Sequence, residues 1–164
     1  MKFSIIATNM PQVLAYMGTF SGARGLQLLE EAVGKSAIKV QDIIREDMES
    51  MIYSQGQSSS GYVRTRTLIR SAHAARPSND HGSDENRASG GADLKATKPR
   101  EVVERRGKNL VSESGSWISY AESVHGGKGR GERTAKPFMT RAINDAQNIL
   151  NEEVLEAVLR VARA

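Results

Sequence analysis

The residues best placed to do chemistry in this 164-residue chain lie between Tyr120 and Arg141. Gly126, Gly127, Gly129 and Gly131 alternate there with Lys128, Arg130 and Arg133, and Lys136 follows shortly after. Glycines permit positive φ and cations draw phosphates, so this loop is expected to face DNA or an acidic partner. It is not a Walker cradle, because no Ser or Thr follows Lys128 and the next helix signal begins too far downstream. Tyr120 and Glu122 would share a face of a strand, but a phenol and a carboxylate without a second acid or a nucleophile make no catalytic unit. His73, His81 and His125 have no metal-site spacing, and no Asp/Glu/His cluster falls at i+3 or i+4 on a predicted helix. No serine occupies a Gly-x-Ser-x-Gly elbow. The residues therefore point to no enzyme, no cofactor and no metal.

The elements that hold this loop are strongly patterned. Trp117, Ile118, Tyr120 and Val124 predict a half-buried strand over 116–124. Pro137 marks the start of a helix, since its φ suits a first helical turn. Ala142, Ile143, Ala146, Ile149, Leu150, Val154, Ala157, Val158 and Val161 then form one apolar stripe of helical period. A second long helix is predicted from about Ala23 to Tyr53. Leu26, Leu29, Val33, Ala37, Val40, Ile44, Met48 and Met51 make its stripe, and Glu30, Lys35, Lys39, Asp42, Arg45 and Glu49 lie opposite. A stripe of that length needs a partner, and the C-terminal helix is the expected one. Glu46, Asp47 and Glu49 sit unfavourably against the dipole of its last turns, which a basic partner surface would offset.

Phe3, Ile5 and Ile6 predict an edge strand, and Gln55–Gly61 has the composition of a flexible linker. A turn through 64–67 and a strand from Leu68 to Ala75 follow. Arg100–Arg106 and Leu110–Ser112 read as two strands around a Gly107 turn. Together these predict an α+β fold: a long N-terminal and a C-terminal helix packed on a small antiparallel sheet, in one domain over 1–164. Between Arg76 and Lys98 the only large aliphatic residue is Leu94, too little apolar surface to offset the entropy of ordering. This long flexible loop is expected to order against a neighbouring subunit, through Arg76, Asp80, Asp84, Glu85, Arg87, Lys95 and Lys98.

Apolar residues are 38% and aromatics 5% of the chain, a thin core that neighbouring subunits would complete. Residues 126–141 hold five bases against one acid, which accounts for the whole net charge of +4. With no cysteine, no disulfide framework is available. The opening residues are too short and too polar for a signal peptide, and no run approaches the ~20 apolar residues of a membrane span, so a soluble protein made in the cytoplasm is expected.

Several short patterns occur in order. They are Gly61-x-x-x-Thr65-x-x-Leu68-x-x-Ser71, then Tyr120-Ala121-x-x-Val124, the glycine-basic loop, and Lys136-Pro137-Phe138-Met139-x-x-Ala142 at the last helix. In this the chain resembles the head–tail joining (neck or tail-completion) proteins of tailed double-stranded-DNA bacteriophages, over residues 20–75 and 99–160. It departs from them in having Val124-His125-Gly126-Gly127 where Glu and then Gly-Thr are usual, and in a longer 76–98 segment. The resemblance implies a structural subunit without catalytic activity, in a sixfold or twelvefold ring around the DNA path at the neck of the virion. It further implies contact with adjoining connector, portal-adaptor or tail-terminator proteins. The alternative reading is a small basic nucleic-acid-binding module using the same loop with Arg64, Arg66 and Arg70. Only Tyr62 accompanies those cations, which serves base stacking poorly.

Overall fold

Leu29, Val33, Ala37, Val40, Ile44 and Met48 recur every three or four residues and are all buried, which fixes the central element of the fold. The computed structural model describes residues 2–7, 23–54, 66–77, 98–118, 120–127 and 135–162. In chain order the elements are β1 (Lys2–Ala7), α1 (Ala23–Met48), a π-helical extension (Glu49–Tyr53), the one-turn α2 (Thr67–Arg70) and β2 (Ala72–Ala75). A 3-10 turn (Pro99–Val102), β3 (Glu104–Arg106), β4 (Asn109–Ser116), α3 (Ala121–Gly126) and α4 (Thr140–Ala162) follow. This is an α+β fold, with the two long helices and the small antiparallel sheet in the expected roles.

The sheet is built on β4. On one edge β1 pairs with it antiparallel, Lys2 opposite Gly115 and Ala7 opposite Leu110. The other edge is shared: β2 pairs with Glu113–Ser116 and β3 with Asn109–Val111, both antiparallel. The β3–β4 connection is the expected hairpin, with Gly107 at φ +61°, where a side chain would be strained.

Although Ser112, Ser114 and Ser116 alternate along β4, all three are buried. Their small size lets α1 lie close; Ser114 finds its partner there, Ser116 finds one at the start of β2, and the Ser112 hydroxyl is buried without one among the described residues. Ser114 Oγ donates to the Ala37 carbonyl at 2.8 Å, and Gln41 Oε1 accepts the Gly115 N–H at 2.9 Å. Ser71 and Ser116 share a hydrogen bond at 2.7 Å, tying the start of β2 to the end of β4.

Helix α4 lies along α1, as the two apolar stripes require, although Ile143 of the expected stripe stays exposed. Ion pairs show the helices to be antiparallel: Arg141 meets Glu46 and Asp47, Lys39 meets Glu153, and Arg160 meets Glu31. Arg141 resolves the acidic end of α1, standing 2.9 Å from both carboxylates. Glu49 is answered by Arg66, whose guanidinium also lies 5.3 Å from the Tyr53 ring centre. Removing the Arg141 side chain strands the buried Asp47 beside it. Arg141→Ala is expected to cost about 1–2 kcal/mol, discounted because Arg141 itself is half-exposed. Chemical denaturation measures the loss, and a midpoint equal to wild type would show the pair to be inert.

Four expectations need correction. Ser116–Val124 is not a strand: the β1 and β2 ladders on β4 reach Gly115 and Ser116, the Trp117 N–H donates to the Ser71 carbonyl at 3.3 Å, and the chain then turns into α3. Ile118 and Ala121 are buried instead by a turn into α3. Residues 67–70 are helical rather than extended, and the strand begins only at Ala72. The partly buried Tyr53 phenol lies against the Leu68 and Ile69 backbone at the start of this turn, where the Arg66 side chain supplies no cap. Residues 99–102 form a 3-10 turn, because Pro99 opens it and Glu101 accepts the Lys98 N–H. Finally, α4 starts at Thr140, whose N–H donates to the Pro137 carbonyl, three residues beyond the proline.

Candidate partner-facing surface

Lys136 is the one residue of the expected basic loop that falls among the described residues; Lys128, Arg130 and Arg133 lie outside them. Lys136 is partly exposed, and its N–H donates to the Val124 carbonyl at 3.1 Å, which docks the returning chain on α3. Of the long 76–98 segment, Arg76 and Lys98 are described, while Asp80, Asp84, Glu85, Arg87 and Lys95 lie outside the described residues. Arg76 directly follows β2 and is partly buried; Lys98 is exposed and stands 3.8 Å from Glu101.

The described histidines have structural surroundings. His73 packs against Trp117 with ring centres 5.3 Å apart, and its Nδ1 is 3.1 Å from the Ser71 carbonyl. His125 meets the Phe138 ring edge-on at 5.2 Å, clamping α3 to the turn before α4. Among the described residues no group of three His, Asp or Glu side chains is placed to hold a metal. Tyr120 and Glu122 do not share a strand face, because Glu122 lies in the first turn of α3.

Burial lowers the His125 pKa from its ordinary 6.5. The unfolded chain therefore takes up this proton more readily than the folded one. The resulting stability is complete above pH 6.5 and is lost as pH falls through the folded value. Unfolding midpoints at pH 7.5 and 5.5 should differ by more in wild type than in His125→Leu. Equal differences would show that His125 carries none of the pH dependence.

Two exposed features escape sequence periodicity. On α4 the buried side is Ala142, Leu150, Glu153 and Ala157, and Leu155 and Leu159 remain 59% and 43% exposed on the side away from α1. No helix-wide stripe announces them, since a helix packed on one side should be polar on the other. The second feature is the turn and hairpin at 98–108, which carries five bases against two acids. Lys98, Arg100, Arg105, Arg106 and Lys108 are all exposed. Arg105 pairs with Glu30 on α1 and Arg106 with Glu104 at 3.0 Å. The crevice between α1 and α4, lined by Leu28, Ala32, Lys35, Glu153, Ala157 and Arg160, is a helix–helix seam crossed by ion pairs.

No family model, curated protein or solved structure matches the chain. Among the described residues no helix is long and apolar enough to cross a membrane. What the geometry offers is therefore surface: an outward apolar strip on one helix and an exposed basic hairpin at the far end of the sheet.

Proposed function

We propose that this chain is a structural subunit of the neck of a tailed bacteriophage, a head–tail connector or tail-completion protein that assembles as a ring around the DNA path. The observation that carries the reading is the two-sidedness of α4. One side is buried on α1, while Leu155 and Leu159, one turn apart, face outward. A single exposed leucine on a monomer needs no explanation, but adjacent ones on a helix mark a contact surface. The order of short sequence patterns from Gly61 to Ala142 supports the neck family in particular.

In this role the helix pair and sheet form a rigid wedge, and copies of the wedge repeat around an axis. The basic loop at Lys128, Arg130, Arg133 and Lys136 serves DNA or an adjoining ring of the connector, and the protein's place is the virion. Native mass spectrometry and negative-stain microscopy of the purified chain test the proposal. A closed ring of six or twelve copies, with an opening wide enough for duplex DNA, is the expected result. A monomer at every accessible concentration overturns it.

A further inference from the structure

The described charges are segregated. Helix α1 with its π extension and helix α4 together carry ten acids against six bases, whereas residues 98–108 carry five bases against two acids. Within α4, Asp145, Glu152 and Leu159 are spaced by seven, so they fall in nearly one line along the helix, beside Leu155. Asp145 and Glu152 make no ion pair among the described residues, and neither does Lys108 in the hairpin turn. Among the described residues Arg106 pairs with the partly exposed Glu104, its own side chain half-exposed, and a pair so placed contributes little. Within one chain no ion pair among the described residues joins the hairpin to the acidic line of α4.

From this charge complementarity we infer that the outward strip of α4 receives the β3–β4 hairpin of a second copy of this chain. Arg106 and Lys108 of the incoming copy lie against Asp145 and Glu152, and Leu155 and Leu159 supply the apolar contact. The inference rests on the ring reading and deepens it by naming the two surfaces. They are different patches, so the contact is heterologous, the type that repeats around a ring instead of stopping at a pair. Opposite charges at the rim set orientation and speed association, and make the contact sensitive to salt.

A charge-swap series on the full chain tests this by native mass spectrometry and sedimentation velocity at low and moderate salt. Asp145→Lys with Glu152→Lys should weaken assembly by about tenfold or more, and so should Arg106→Glu with Lys108→Glu. All four together should restore it. Arg106, Lys108 and Glu152 are exposed and Asp145 is partly exposed, and unchanged thermal unfolding confirms that each variant folds. Assembly unaffected by either pair, or broken by both and not restored by the combination, overturns the docking while leaving the ring reading standing. A hairpin variant that loses only DNA binding and still assembles normally overturns it equally, assigning those cations to nucleic acid. A wild-type chain that never assembles ends both.

Discussion

Replacing Gly34 by alanine is expected to destabilise the protein by about 3 kcal/mol or more, at a helix position where the same change ordinarily gains about 1 kcal/mol. The reason is the 3-10 turn that crosses α1 at this point. A Cβ on Gly34 would stand 1.9 Å from the Pro99 carbonyl oxygen, 2.4 Å from its carbon and 2.8 Å from its Cα. All three are backbone atoms, so no side chain can swing aside to make room. Either the turn lifts or α1 bends, and both uncover Val102 and Val103, which are buried here. Full exposure of one valine costs about 1.5–3 kcal/mol by itself. Urea denaturation of Gly34→Ala measures the change. A variant as stable as wild type would show that the turn does not approach the helix so closely.

The second large effect is expected at Phe138. Its ring is fully buried, packed with Met139 at the entrance to α4 and met edge-on by His125. Phe138→Ala should cost about 3–5 kcal/mol, the transfer of the ring plus the cavity it leaves. For a domain of this size that is a fall of roughly 10 °C in melting temperature. Phe138→Leu retains part of the volume and should lose clearly less. If both variants melt with wild type, the turn before α4 is not part of the core.

The α+β class, the two long helices, their pairing and the Gly107 hairpin were legible in the residues alone. Each rests on a local regularity: the three-and-four spacing from Leu29 to Met48, a second such stripe beginning at Ala142, and a glycine between two β-favouring runs. The candidate site was much less legible. The cations at 126–141 stood out as composition, but those at 100–108 were read only as strand and turn residues, because exposure is not a property of sequence. Trp117, Ile118 and Val124 have strand propensity, yet they lie past the end of β4, where the chain turns into α3.

What the sequence determined by itself was thus the set of faces that must be buried, since periodicity depends only on neighbours along the chain. Tertiary structure alone decided that Gly34 makes room for Pro99, that Tyr53 meets the helical turn at 67–70, and that Arg141 neutralises the acids of α1. Those contacts join residues far apart in sequence, and propensity carries no information about which distant groups will meet. The outward leucines of α4 belong with them. Leu155 and Leu159 fall outside the apolar stripe of α4, and the packing of the opposite side on α1 leaves them facing out.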